Sequence, residues 1–180
     1  MLFAQNKIWG VTYSMREGYL LNNKYHANFP NETYVSIEIP KGSSLKYERD
    51  LETGHLILDR VLAGGFKFPF NYGYIPHTLG DDGDPLDVVL FFSESIIPST
   101  IVSCKVLGVL DMDDRGKKDY KFICCPTFCE EQDLSDVPKF DLDQVKYFFE
   151  NYKVFFGGQV DVFDYQDRDF ALELLKMSQK

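Results

Sequence analysis

Residues 34–61, YVSIEIPKGSSLKYERDLETGHLILDRV, hold three short runs of β-branched, aromatic and aliphatic residues separated by two turn signals. The runs are Tyr34–Ile39, Leu45–Arg49 and Leu56–Val61, and Pro40-Lys41-Gly42 and Thr53-Gly54 stand between them. Proline has no amide hydrogen to give to a ladder, and glycine accepts the left-handed backbone of a tight turn, so both junctions predict chain reversal. Val35, Ile37 and Ile39 alternate with Ser36 and Glu38, which predicts one buried face with Glu38 on the other. Working outward, further strands are expected at Val88–Phe92, Ile101–Leu110 and Tyr120–Cys125.

A helical period appears only late. Leu142, Val145, Phe148 and Phe149 recur at three- and four-residue steps and predict a helix over Asp141–Lys153, stopped before Gly157-Gly158. A second helix is expected over Arg168–Met177 with Phe170, Ala171, Leu174 and Met177 inward. Short strands followed by two C-terminal helices predict a mainly β chain with flanking helices, an α+β arrangement on a small, strongly coiled barrel. Residues 1–33 show no clean period and are read as an N-terminal arm packed partly on a single domain of residues 34–180.

At 180 residues with 44% hydrophobic content, the chain can bury one sizeable core without dividing further. A net charge of −9 argues against nucleic acid or a membrane surface as partner, since either would want a basic face. No apolar run approaches the ~18 residues that span a bilayer, and no secretory signal is evident, so a cytoplasmic location is expected. Cys104, Cys124, Cys125 and Cys129 lack paired metal-ligand spacing and are read as reduced thiols. The neighbours Cys124 and Cys125 should point to opposite faces of a strand.

The run Asp82-Gly83-Asp84-Pro85-Leu86-Asp87 places three carboxylates within six residues. Crowded carboxylates repel unless a cation neutralises them, and oxygen-only donors favour a hard ion such as Mg²⁺ or Mn²⁺. A calcium loop of EF-hand type fails by counting, because Asp87 stands where that loop needs Gly and Ser93 where it needs Glu. His77, nearby, is read as a hydrogen-bonding scaffold residue. Elsewhere, charges sit inside strand-like runs: Glu38, Lys46, Glu48 and Arg60, with Asp114 and Asp119 bracketing Arg115-Gly116-Lys117-Lys118 and Lys121 just beyond. Each alone is an ordinary solvated charge. Together they supply hard-metal ligands and anion-binding cations, the two halves of a phosphoryl-transfer site.

These segments resemble the family I soluble inorganic pyrophosphatases over roughly Tyr34 to Tyr165. The acidic loop is the family signature, and around it YVSIEIP, LKYE, the Asp59-Arg60 pair, FPFNYGYIPHT, GVLDMDDRGKKDYK and FFENYK stand in family order and spacing. The resemblance implies a five-stranded OB-like barrel with flanking helices and Mg²⁺-dependent hydrolysis of pyrophosphate to two phosphates, with several Mg²⁺ per site and Mn²⁺ as a substitute. It implies that Asp82, Asp87 and Asp119 bind the metal pair that activates water. Asp84 would be the general base, and Asp114 with Asp119 would hold a further ion. Glu38 and Glu48 would act through metal-bound waters. Lys46, Arg60, Lys121, Tyr152 and Lys153 would grip the phosphoryl groups, with Tyr72 against loop and phosphate.

Phe68 stands where the family usually has Tyr, Gln159 where Lys is common, and Tyr147 and Asn151 where many bacterial members carry histidines at a subunit contact. The resemblance implies a homo-oligomer, by length the bacterial hexamer. Alternatives are a non-catalytic metal- or phosphate-binding module on the same fold and a hydrolase of other polyphosphates.

Overall fold

The computed structural model describes residues 6–8, 11–13, 22–23, 26–157 and 160–179. In chain order the strands are β1 (Asn6–Ile8), β2 (Val11–Tyr13), β3 (Glu32–Ile39), β4 (Leu45–Arg49), β5 (Leu56–Val61), β6 (Asn71–Tyr74), β7 (Asp87–Leu90), β8 (Ile101–Asp114), β9 (Lys117–Lys118), β10 (Lys121–Pro126) and β11 (Val160–Gln166). The helices are α1 (Lys139–Asn151) and α2 (Arg168–Met177). β1 and β2 pair as an antiparallel ribbon. Most of the arm expected over 1–33 lies outside the described residues, as does Gln159. Within that segment, Asn23 and His26 are fastened to the barrel. The Asn23 side chain accepts from Thr33 Oγ1 and the Tyr34 amide, both at 2.6 Å, and His26 Nε2 lies 2.8 Å from Ser103 Oγ.

The barrel closes through β8. Strand order runs β10-β7-β6-β3-β8, and β10 pairs back onto β8, so five strands form a closed barrel. Only β10–β7 is parallel among these pairs; the others are antiparallel. The 14-residue β8 is long enough to serve successive neighbours along one edge: β3 pairs with Ile101–Lys105, and β11 pairs from Val109 to Asp114. β4 and β5 form a separate two-stranded hairpin.

Alternation along the strands divides the core in two. Val89, Ile123 and Cys125 join the cluster closed by Val145, Phe148 and Phe149 of α1, while Val88, Leu90, Phe122 and Cys124 join the one closed by Ala171, Leu172 and Leu175 of α2. Cys124 and Cys125 thus face opposite ways, as period-two geometry requires, and all four thiols are free.

β3 departs from the expected alternation. Its pairing with β6 slips between Ile37, opposite Gly73, and Ile39, opposite Tyr72. This bulge turns Ile39 into the α1 cluster while Val35 and Ile37 stay in the α2 cluster. Both faces of β3 are buried from Thr33 to Ile39, so Glu38 is only 8% exposed rather than solvated. The close approach that accommodates the bulge falls at Gly73, where an added Cβ would lie 1.9 Å from the Ser36 carbonyl oxygen.

β4, β5 and α2 have the expected bounds, whereas α1 is shifted two residues earlier at both ends, from its N-cap Pro138 to its C-cap Tyr152. The inward face of α2 is corrected. Ala171, Leu172 and Leu175 are buried and Leu174 half-buried, whereas Phe170 and Met177 are exposed, Met177 at 77%. Adjacent apolar residues such as Phe170-Ala171-Leu172 permit two rotations of the helix, and the barrel surface selects the smaller side chains. Phe170 instead packs against the rim ring of Tyr120, with centroids 6.0 Å apart.

Candidate active site

The acidic loop is fixed by backbone bonds before any ligand enters. Ile75 N–H donates to Leu86 O (2.9 Å), closing the segment, and Thr78 Oγ1 donates to Ile75 O (2.6 Å) while accepting from Leu86 N (2.9 Å). Within the loop Gly80 N–H donates to Asp84 O (2.7 Å), and Asp82 Oδ1 accepts from Asp84 N (3.0 Å). Gly83 has φ +98, a conformation L-residues avoid, so the turn depends on that glycine. Leu86 and the strand β7 then anchor the far end in the core. His77 lies in this turn with φ +58 and is absent from the cleft wall.

The loop opens onto a cleft of about 440 Å³. Asp84, Asp82, Asp87, Asp114, Asp119, Glu38, Glu48, Lys46, Arg60, Tyr72, Lys121, Tyr152 and Lys153, each singled out from the sequence, all line it. They arrive from the loop, β3, the β4–β5 hairpin, β6, the end of β8, the start of β10 and the end of α1. Sequence reasoning did not assign Tyr47, Arg49, Leu51, Tyr74, Pro85, Arg115 and Phe156, which also line it. Arg115 and Arg49 were legible as charges beside assigned residues. Phe156 was not, because its role depends on a turn of 3-10 helix, Val154–Phe156, that seats its ring 5.6 Å from the Arg60 guanidinium. Phe68 lies outside the wall, buried against Phe70, Tyr72 and Phe148.

Ion pairs organise the walls. Lys121, 4% exposed, pairs with Asp87 Oδ2 at 2.5 Å and with Asp119. Burial alone would lower its pKa, but the fields of Asp87 and Asp119 raise it, so it stays an ammonium. Lys153 Nζ pairs with Asp114 Oδ2 at 2.6 Å. On the hairpin Lys46 pairs with Glu48, as their two-residue spacing predicts, and with Asp59 Oδ2 at 3.3 Å. Arg60 Nε holds the same Asp59 oxygen at 2.7 Å. The ring of Tyr152 stacks on Phe148, centroids 5.0 Å apart, which fixes the end of α1 against the core.

Several carboxyls are left wanting a cation. Burial and then the Asp87 charge push Glu38 up to about 8. Burial raises Asp119, opposed by Lys121 and reinforced by Asp87. Partial enclosure, then Asp82 and Asp87, raise Asp84, although that residue sits on an open loop. Burial, then Asp87 and Asp119, raise the Tyr72 hydroxyl. Asp114 Oδ1 is buried with no hydrogen-bond partner. Among the described residues no three carboxylate, imidazole or thiol groups enclose an ion as they stand; lysines lie between the carboxylates instead. An all-oxygen donor set with an orphaned buried oxygen and a carboxyl whose proton is favoured first by burial and then by the Asp87 charge fits hard divalent cations.

The Glu38 shift has a sign that can be measured in metal-free protein. Below its ordinary value of 4.5 both folded and unfolded chains carry the proton, so wild type and Glu38→Gln should be equally stable. As pH rises toward about 8, the unfolded chain releases the proton while the folded one keeps it. The wild type should then lose stability by about 1.4 kcal/mol per pH unit relative to the variant. Above that range the gap is constant. Urea titrations in EDTA at both ends of the range check this, and a gap that fails to widen with pH would sink the burial argument.

The sequence model of the family described as inorganic pyrophosphatase matches residues 35–180. An inorganic pyrophosphatase of Thermoplasma volcanium is 40% identical over 162 residues, covering 86% of this chain and 96% of that protein. One from Halalkalibacterium halodurans is 44% identical over 150 residues, covering 81% and 92%. The crystal structure of the inorganic pyrophosphatase from Thermus thermophilus superposes with a TM-score of 0.81 at 36% identity, covering 85% of this chain and 92% of that one.

Proposed function

The chain belongs to the inorganic pyrophosphatase family, and on that footing we propose that it hydrolyses inorganic pyrophosphate to two orthophosphates with Mg²⁺. The observation that supports this reading is the convergence on one cleft of thirteen carboxylate, cationic and tyrosine side chains spread from Glu38 to Lys153. Asp82, Asp87, Asp114 and Asp119 would hold the ions, with Glu38 and Glu48 behind them. When bound, such ions neutralise phosphoryl oxygens and lower the pKa of a water nucleophile. Asp84 takes the proton of the attacking water. The Asp82 side chain fixes its backbone through the Asp84 amide, which holds the carboxylate at the cleft. Lys46, Arg60, Lys121, Tyr152 and Lys153 orient the two phosphoryl groups and stabilise charge on the departing phosphate. Asp59 sets the positions of Lys46 and Arg60 through one shared oxygen. Tyr72 stands against the acidic loop and the phosphate.

Residues 34–180 act as the single catalytic domain behind an arm of 1–33, in the cytoplasm and as a homo-hexamer. Among the described residues no helix is long and apolar enough to cross a membrane. Exposed Tyr147 on α1, with Val154 and Phe155 beyond its end, offers apolar surface for subunit contact. Light scattering gives the assembly directly.

Purified protein should release phosphate from pyrophosphate with Mg²⁺, stop when EDTA is added, and resume with excess Mg²⁺. No release under any divalent condition tried, from a folded sample, would overturn the proposal.

A further inference from the structure

We propose that Arg115, at the tip of the β8–β9 hairpin, is a further substrate-binding residue whose guanidinium takes phosphoryl oxygens of the diphosphate. The inference deepens the pyrophosphatase reading and rests on it. Arg115 lines the cleft next to Asp114 and is exposed to solvent. Every other cationic side chain in that wall already has a protein partner. Lys46, Arg60, Lys121 and Lys153 are paired with carboxylates, and Arg49 donates to the Gly54 carbonyl and the Ser99 hydroxyl. Among the described residues Arg115 has no such partner. An incoming anion can therefore engage it without breaking an ion pair, and its planar fork of N–H donors matches two phosphoryl oxygens at once.

The backbone supplies an independent argument. Asp114 pairs with Lys117, so the hairpin loop is Arg115-Gly116, and both have positive φ, +58 and +84. These are the angles of a type I′ turn, which glycine fits and whose first position ordinarily takes Asn, Asp or Gly. A left-handed arginine is unfavourable for folding. Backbone strain of this kind is retained where the side chain has work to do. Here it sets a free guanidinium on the open rim beside a carboxylate that is itself held by Lys153.

Arg115→Asn separates binding from folding, because Asn suits the turn and removes the charge. Three measurements are made on wild type, Arg115→Asn and Arg115→Lys: steady-state kinetics with Mg²⁺ and pyrophosphate, calorimetric titration of methylenediphosphonate in Mg²⁺, and thermal unfolding. The Asn variant should show KM and diphosphonate Kd raised about 5- to 10-fold, with kcat within about threefold. Its Tm should equal or exceed that of the wild type. Arg115→Lys should recover part of the affinity. Diphosphonate affinity unchanged in Arg115→Asn would overturn the proposal, as would a loss of affinity accompanied by a fall in Tm. A wild type that binds diphosphonate through Arg115 but releases no phosphate would reject hydrolysis and leave this contact standing. A wild type that binds no diphosphonate would reject both.

Discussion

Replacing Asp87 by Asn should cut pyrophosphate turnover by at least ~100-fold, about 2.7 kcal/mol of transition-state stabilisation, while the protein stays folded. The carboxylate meets Lys121, Tyr72 and the negative fields of Asp84 and Asp119 at one point of the cleft. An Asn carbonyl can still accept from the Lys121 ammonium, and Asp119 still neutralises it, so no buried charge is stranded. What is lost is one unit of negative charge from the proposed ion-binding set. Asp84→Asn should cost a similar factor by removing the base, without touching a buried group. Phosphate release measured beside far-UV circular dichroism and Tm tests both. Near-normal turnover in either folded variant would remove these residues from the chemistry.

Gly73→Ala should destabilise the fold by about 3 kcal/mol or more, lowering Tm by on the order of 10 °C. The added Cβ would lie 1.9 Å from the Ser36 carbonyl oxygen, 2.8 Å from its carbon and 2.9 Å from Ile37 Cα. All three are backbone atoms of β3, so no side chain can swing aside. Relief requires β3 and β6 to separate at the bulge, which displaces Glu38 on one strand and Tyr72 on the other. Activity at a permissive temperature should fall with stability, because both residues line the cleft. A variant within 1 kcal/mol of wild type by urea titration would show that the ladder is looser than the geometry implies.

Much of the architecture was legible in local chemistry. β4 and β5 are bounded by Pro40-Lys41-Gly42 and Thr53-Gly54, and α2 begins where Asp167 accepts from Phe170 N at 2.9 Å. What escaped depended on tertiary context. β6 reads Asn71-Tyr72-Gly73-Tyr74, whose Asn and Gly look like turn residues. In the barrel the Asn71 side chain bonds Lys41 N, Ile96 N and Glu94 O, and Gly73 is the one residue thin enough for the bulge. β11 carries Asp161 and Asp164 and buries no residue fully, so its strand character comes from the edge of β8. Glu38 was read as solvated because alternation does not reveal that both faces of β3 are covered. The cleft residues were legible in kind and spacing. Their mutual neutralisation by Lys121 and Lys153 was not, since Asp87 and Lys121 are joined only through parallel pairing of β7 and β10.

The division of one edge of β8 between β3 and β11 bears on when a growing polypeptide becomes competent. Asp114 is held on one side by Lys117 of the hairpin, but on the other it sits opposite Val160, a partner that leaves the ribosome late. Barrel closure by β10 can precede this, but the last turn of the active face cannot. Chains truncated before residue 160 would thus hold a nearly finished barrel with an unfinished mouth, and phosphate release should require β11 to be in place.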